Sequence, residues 1–139
     1  MDTGMQLVSL TEEQVRDVEA RLELYDYERF PLPRRGKVQL GIQKDGRLIA
    51  GVDAEMTSFR ILYVSSLFVD EPYRRQGLGR TLMEALEKKA RDLGANMIRL
   101  DTFDWQGPQF YESLGYEQVG GYSSEADGFS EHFFLKRLT

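Results

Sequence analysis

Three arginines and two glycines fall within seven residues, in the stretch Arg74-Arg75-Gln76-Gly77-Leu78-Gly79-Arg80. An apolar run precedes this stretch and a run with helical period follows it, which predicts a strand, a tight turn and a helix N-terminus. The first N–H groups of a helix have no partner inside it and carry the positive end of the helix dipole. Arginine binds phosphate through its forked guanidinium, and glycine lets an anion approach the backbone. The pattern therefore indicates binding of a phosphate-bearing ligand, and a pyrophosphate is the group that we expect there.

Two other phosphate-binding patterns are excluded by the residues themselves. The Walker loop G-x-x-x-x-G-K-[ST] does not occur, and Gly77-Leu78-Gly79-Arg80-Thr81-Leu82 ends in leucine where the dinucleotide fingerprint needs glycine or alanine. Taken alone, this stretch has a second interpretation that fits it equally well: a helix N-terminus that carries solvated surface arginines.

Two segments of the chain resemble one known family. Arg74–Gly79 resembles the [Q/R]-x-x-G-x-[G/A] acyl-CoA signature of the GNAT superfamily of N-acetyltransferases, and the lead-in from Val69 is similar to that family too. About 35 residues downstream, Phe110-Tyr111-Glu112-Ser113-Leu114-Gly115-Tyr116 resembles the family's F-Y-x-x-x-G-[F/Y] segment. The string from Phe103 to Tyr111 is similar to a subgroup of short acetyltransferases that carries an F-Q-[A/G]-P-x-F-Y variant. The resemblance covers roughly residues 37–137.

The resemblance implies a binding mode for acetyl-CoA, which leaves as CoA. The strands ending at Val69 and near Thr102 would splay apart, and the pantetheine arm would pair with main-chain groups of Leu67, Phe68 and Val69. The pyrophosphate would lie on the N–H groups of residues 75–80. The implied cofactor-binding residues are Leu67, Phe68, Val69, Arg74, Arg75, Gln76, Gly77, Leu78, Gly79, Arg80, Asp104 and Phe110.

Asp104 departs from the family pattern. The family frequently has Asn at this position, where it contacts the pantetheine region, and Gly107 replaces a frequent Ala. Gln106 or a main-chain group is the alternative candidate for the contact with the pantetheine region that Asn makes in the family.

The implied reaction is direct attack of an amine on the thioester, which needs no enzyme nucleophile and suits a chain without cysteine. Tyr111 matches the family's general acid, since a phenol of pKa about 10 can donate to a thiolate whose conjugate acid is near 8.5; alternatively, it only packs a short helix against the sheet. A backbone N–H near Val69 is the implied oxyanion donor. Glu55 is the predicted general base, with Asp101, Asp104 and ordered water as alternatives.

Composition limits the partners that we expect. The net charge is −5 and the pI about 5.0, which argues against nucleic-acid and anionic-membrane binding. The absence of cysteine and the single histidine, His132, predict no metal site. No apolar stretch reaches bilayer length and no secretory signal is visible, so we expect a cytoplasmic protein with a single domain over residues 1–139.

The acceptor is predicted to be a small-molecule or peptide amine. The acidic residues Glu125, Asp127 and Glu131 fall in a predicted polar loop over residues 120–130 and at its end, a plausible wall for a cationic acceptor. A solvated acidic loop is an equally good interpretation. A homodimer is common in the family, and the sequence does not establish one.

The predicted fold is α/β with a mixed sheet of about six or seven strands. An antiparallel meander is followed by one parallel βαβ crossover, with helices on both faces. The predicted strands are 5–10, 37–44, 48–56, 60–69, 96–102, 116–120 and 132–138, and the predicted helices begin at Thr11, Gln76 and Pro108. The first helix should place Val15, Val18, Leu22 and Tyr25 on one face and stop before a loop at 30–36.

Two further functions remain open from the sequence. An acyl-CoA-binding sensor or regulatory module without turnover would keep the same turn, although Tyr111 argues mildly against it. A structural or toxin–antitoxin-like interaction module has no specific feature in its favour. Release of CoA thiol in the presence of an amine separates the enzyme from the sensor.

Overall fold

The computed structural model describes residues 4–31, 35–57 and 59–139. The helices and strands are α1 (Glu12–Arg29), β1 (Lys37–Lys44), β2 (Arg47–Met56), β3 (Ile61–Val69), α2 (Leu78–Asp92), β4 (Met97–Phe103), α3 (Pro108–Ser113), β5 (Glu117–Ser124) and β6 (Phe129–Arg137), with 3-10 turns at Glu71–Tyr73 and Asp104–Gln106. The chain separates into two compact units, residues 1–32 and 33–139. No helix within the described ranges has the length and apolar character that a bilayer crossing requires.

The first unit contains α1, which begins with the predicted capping box. Thr11 Oγ1 accepts a hydrogen bond from Gln14 N at 3.2 Å, and Gln14 Oε1 accepts from Thr11 N at 3.0 Å. The helix ends at Arg29, as predicted. It belongs to the first compact unit, so packing of its apolar face against the sheet stays a prediction. Residues 5–10 form no strand, which corrects that prediction, because a short apolar run alone does not provide a pairing partner. The predicted loop at 30–36 includes residues 32–34, which lie outside the described residues.

The second unit contains a six-stranded sheet in the order β1-β2-β3-β4-β6-β5. β3 and β4 are parallel and the other neighbouring strands are antiparallel, so the predicted meander and the single parallel crossover are confirmed. The β1–β2 turn has positive φ at both central residues, Asp45 (52°) and Gly46 (77°). This backbone suits the twist of a hairpin and favours the Asp-Gly pair that predicted it.

One hydrophobic core joins the sheet to α2 and α3. α2 buries Leu82, Met83, Leu86 and Ala90 against the even-numbered positions of the central strands, such as Leu62 and Ile98. Residues of α3 belong to the same core cluster. α1 belongs to the other compact unit, so helices on both faces of the sheet stay a prediction.

The C-terminal hairpin differs from the prediction. β5 continues to Ser124 and β6 begins at Phe129, so the loop predicted over 120–130 is only a short turn. Glu131 lies within β6, paired with Tyr122, and not in a loop. β5 is the edge strand and carries two adjacent glycines, Gly120 and Gly121, followed by Ser123 and Ser124. Solvent takes the polar side chains at an edge strand, so this composition resembles that of a loop.

Candidate active site

The two central strands part near their carboxyl ends. β3 and β4 are paired only from Ile61–Met97 to Val64–Leu100, although both strands continue beyond that point. A bulge leaves Ser65 as an extra residue in β3, and a bulge bends its strand and increases the twist. β3 stays paired with β2 and β4 stays paired with β6, so the strands open like a V. The splay that the family resemblance implied is therefore present.

A cavity of about 870 Å³ lies at this opening. Its walls come from the end of β3, the turn into α2, the 104–107 segment and the start of α3. The lining residues are Leu67, Phe68, Val69, Tyr73, Arg74, Arg75, Gly77, Leu78, Gly79, Arg80, Trp105, Gln106, Gly107, Phe110 and Tyr111. The structure thus brings together the predicted cofactor-binding residues except two, Gln76 and Asp104.

The turn before α2 forms an open, electropositive wall. Arg75 (φ 64°) and Gly77 (φ 83°) have left-handed backbones, and Gly77 is the N-cap of α2 without any side-chain cap. The first N–H groups of α2 therefore stay available to an anion. In the described part of the chain no ion pair involves Arg74, Arg75 or Arg80, and all three are exposed.

Arg74 and Gly79 make packing and hydrogen-bond contacts that the sequence did not predict. Arg74 Nε donates to Val69 O at 2.8 Å, and its guanidinium lies 5.1 Å from the centroid of the Phe68 ring. A Cβ atom on Gly79 would approach Phe110 Cζ to 3.1 Å, so this glycine allows α3 to pack on α2. The sequence predicts close approach of an anion at Gly79, and the structure adds the packing contact with Phe110 as a second reason for a glycine.

Tyr111 connects the first cavity with a second one. The second cavity has a volume of about 280 Å³ and is lined by Val64, Ser65, Ser66, Leu67, Phe68, Leu100, Asp101, Thr102, Gln106 and Tyr111. The Tyr111 side chain packs against Phe110, Tyr116 and Phe134 and is 7% exposed. Burial raises the pKa of Tyr111 to about 12, so the phenol stays protonated throughout the physiological range.

The three candidate bases lie in different places. Glu55 is exposed on β2, lines neither cavity, and pairs in register with Tyr63, six residues before the end of β3. At a strand rise of about 3.3 Å per residue, that places it about 20 Å from Val69. Asp101 lines the second cavity together with Tyr111 and accepts a hydrogen bond from Tyr63 Oη at 3.1 Å.

Asp104 and Gln76 have partners outside the cavity. The Asp104 carboxylate accepts a bond from Ser130 N at 2.7 Å and lies 2.7 Å from His132 Nε2. These contacts hold the pKa of Asp104 below its usual range, through the hydrogen bond with His132 first and the Ser130 amide second. The Gln76 side chain donates to Pro72 O at 3.4 Å.

Sequence reasoning missed Trp105 and Tyr73 as lining residues, and it named Gln106 only as an alternative. Gln106 Oε1 accepts from Phe103 N at 2.7 Å, and Gly107 has a φ of 88°. This compact turn brings the 104–107 segment to the opening. The available signal was the position of these residues, directly after a predicted strand and just before the Tyr111 segment.

Comparison with known proteins places the chain in a family. The model of the acetyltransferase (GNAT) family matches residues 5–116. The blasticidin-S acetyltransferase of Streptomyces morookaense is 31% identical over 94 residues, which are 67% of this chain and 68% of that protein. An acetyltransferase of Agrobacterium fabrum is 29% identical over 91% of this chain and 90% of its own length. The crystal structure of an acetyltransferase from Bacillus cereus superposes with a TM-score of 0.89 at 29% identity, covering 96% of this chain and 98% of that one. The chain therefore belongs to the acetyltransferase (GNAT) family, as an acetyl-CoA-dependent N-acetyltransferase.

Proposed function

We propose that the chain binds acetyl-CoA in the 870 Å³ cavity and transfers its acetyl group to a primary amine that enters through the 280 Å³ cavity. The observation that carries this proposal is the position of Tyr111. Tyr111 lines both cavities at the opening between β3 and β4, and burial keeps its phenol protonated, which supports it as the acid at the place where donor and acceptor would meet.

The residues of the larger cavity fit the donor. The open N–H groups at the start of α2, with Arg75 and Arg80 beside them, suit a pyrophosphate. The edge of β3 beyond Val64 has no β4 partner, so main-chain groups of residues 67–69 can pair with the amide-bearing pantetheine arm as an added strand would. Arg74 supports this edge through its bond to Val69 O.

Tyr111 acts as the hydrogen-bond donor to the departing sulfur. The amine nitrogen forms a bond to the acetyl carbon, the carbon–sulfur bond breaks, and the phenol supplies the proton that the thiolate takes up. With a phenol pKa of about 12, complete transfer to a thiolate near pKa 8.5 is uphill by about 5 kcal/mol, against about 2 kcal/mol at an unperturbed pKa of 10. The same dry surroundings also raise the proton affinity of the thiolate, which reduces this cost.

Asp101 is the carboxylate best placed to take the proton from the attacking amine. Of the three candidates it alone lines the cavity that contains Tyr111, whereas Glu55 is distant along β2 and Asp104 is bonded to β6. The Tyr63 hydroxyl bonds to Asp101 Oδ2, which fixes the carboxylate and leaves Oδ1 for an ammonium group or a water molecule.

The acceptor is proposed to be a cationic amine. Among the described residues, Asp101 is the one charged residue that lines the smaller cavity. Glu131 lies on the neighbouring β6 strand, two positions from the residue that pairs with Asp101, and Tyr122 Oη donates to its Oε1 at 2.6 Å. The net charge of −5 has the same sign. The name of the Streptomyces relative, blasticidin-S acetyltransferase, supports an amine of this kind. Small molecules and peptide amines are both candidates.

Release of free CoA thiol tests the proposal. Ellman's reagent detects it without background, because the chain contains no cysteine. The acceptors would be blasticidin S, spermidine, an aminoglycoside, lysine and a lysine-containing peptide, with an amine-free control. We expect amine-dependent release with at least one acceptor and a loss of about 100-fold in kcat for Tyr111→Phe. CoA binding without release from any amine in a broad panel would favour the sensor, and equal kcat for Tyr111→Phe would remove the tyrosine from the mechanism.

A further inference from the structure

The carboxylate of Asp104 ties the segment after β4 to strand β6. The β4–β6 pairing ends at Phe103 and Glu131, so the N–H of Ser130 lies one residue beyond the last pair. Asp104 Oδ2 accepts from Ser130 N at 2.7 Å, while Oδ1 lies 2.7 Å from His132 Nε2. The carboxylate thus continues the connection between the strands β4 and β6 at the point where the backbone leaves β4.

Gln118 of the β5–β6 hairpin determines which atom donates in the contact between His132 and Asp104. Gln118 Nε2 lies 3.1 Å from His132 Nδ1 and also donates to Gly120 O at 3.2 Å. An amide nitrogen only donates, so Nδ1 acts as acceptor and Nε2 bears the hydrogen that faces Asp104. Both oxygens of Asp104 therefore accept, one from a ring N–H and one from a backbone N–H.

The segment held in this way forms one wall of the large cavity. Trp105, Gln106 and Gly107 all line that cavity. The Trp105 ring stacks on Phe103 with centroids 5.0 Å apart and meets Phe129 edge-on at 5.9 Å, but 68% of the residue stays exposed. The 104–106 turn buries no residue, and Gln106 Oε1 holds its start by accepting from Phe103 N at 2.7 Å.

We propose that Asp104 is a positioning residue that, together with His132, sets the place of the Trp105–Gly107 wall of the cofactor cavity. The inference rests on the proposed function, because it assigns that cavity to acetyl-CoA. A carboxylate suits this role better than the Asn frequent in the family. Asn has one acceptor oxygen, and its NH₂ would face either the Ser130 N–H or the His132 Nε2–H, donor against donor.

The closing experiment uses Trp105, the only tryptophan of the chain, as the reporter. Time-resolved anisotropy measures its mobility in the ligand-free protein, its emission measures the Kd of CoA, and thermal unfolding measures stability. The variants are Asp104→Ala, Asp104→Asn, His132→Ala and His132→Gln. Asp127→Asn is the matched control, because it removes the same charge from the β5–β6 turn, where Asp127 contacts Ser124.

We expect Asp104→Ala to increase the mobility of Trp105 and to weaken CoA binding by about tenfold, the effect of a charged hydrogen-bond acceptor lost at the surface. Asp104→Asn should fall close to Asp104→Ala, and His132→Ala should have a smaller effect because the Ser130 bond remains. His132→Gln should resemble the unchanged protein, since its amide N–H can replace Nε2–H, and Asp127→Asn should change neither readout.

Three results overturn the proposal. The first is unchanged Trp105 mobility and unchanged Kd in folded Asp104→Ala. The second is a lower melting temperature with both of those readouts unchanged, which makes the contact merely structural. If Asp104→Ala does not fold, His132→Ala and Asp104→Asn decide between the same outcomes. The third is the absence of CoA binding by the unchanged protein, which refutes the proposed function itself; an intact Kd with insensitive variants refutes only the positioning role.

Discussion

The alkaline stability of the protein tests the environment of Tyr111, on which the chemistry depends. Burial raises the pKa of this phenol to about 12 in the folded chain, against 10.0 as the ordinary value. The unfolded chain can therefore ionise Tyr111 at a lower pH than the folded chain can. Stability is retained below pH 10 and is lost as the pH rises from 10 towards 12. Tyr111→Phe removes the ionisable group and with it this part of the loss.

The size of the effect follows from the two pKa values. Linkage gives a loss of about 0.4 kcal/mol at pH 10, about 1.4 kcal/mol at pH 11 and a limit of about 2.7 kcal/mol well above pH 12. The neighbouring Tyr116 also has a raised pKa, caused mainly by burial, and it adds a loss of the same sign. The comparison is therefore made between the unchanged protein and Tyr111→Phe, in which Tyr116 is common to both.

Urea unfolding at pH 7, 10 and 11, followed by Trp105 emission, measures the difference. The free energy of unfolding of the unchanged protein should fall relative to that of Tyr111→Phe by about 1.4 kcal/mol between pH 7 and pH 11. Parallel curves for the unchanged protein and Tyr111→Phe would mean that the phenol is not desolvated, and the proposed acid would lose its physical basis.

Three more predictions concern other parts of the site and the fold. In Gly79→Ala the new Cβ meets Phe110 Cζ at 3.1 Å and displaces the ring, so calorimetric titration should show weaker CoA binding, which a second change, Phe110→Leu, restores; unchanged affinity would exclude this ring from the binding wall. Asp101→Asn should lower kcat by about 100-fold, whereas Glu55→Gln leaves kcat unchanged; the reverse result would return the role of base to Glu55. Gly46→Ala forces a left-handed alanine at φ 77° and should cost about 1 kcal/mol in urea unfolding, with Gly46→Asn costing less; equal costs would contradict the turn assignment.

Elements with strong local signals could be predicted from the sequence. The Asp45-Gly46 pair fixes the first hairpin, and the helical period of the apolar residues in α2 together with Gly94 at φ 88° defines that helix closely. The strand–helix–strand spacing then fixes the parallel pairing of β3 with β4. The β5–β6 hairpin has no comparable signal, because β5 is rich in glycine and serine and the boundaries of the hairpin depend on the pairing of β6 with β4.

The parts of the candidate site that belong to a sequence motif could be predicted, and the parts that depend on strand pairing could not. The Arg74–Gly79 and Phe110–Tyr111 segments identified two walls of the cavity, because each motif places its own residues within a few positions of one element. The place of Asp101 depends on where the β3–β4 pairing stops, which the bulge at Ser65 decides. The contact between Asp104 and His132 joins residues 28 positions apart, and only the register of β4 on β6 brings them together.

Binding of CoA is the measurement that tests the central claim most directly. Titration of CoA against Trp105 emission, with ATP as a control that shares the adenine and phosphates, needs no knowledge of the acceptor. We predict saturable binding of CoA and acetyl-CoA that weakens with salt and by about tenfold or more in Arg75→Ala/Arg80→Ala, with ATP binding far more weakly because it lacks the pantetheine arm. Absence of saturable binding by either CoA species, or equal binding by the arginine variant, would mean that the turn before α2 is only a helix N-terminus and that the cavity does not hold the acetyl donor.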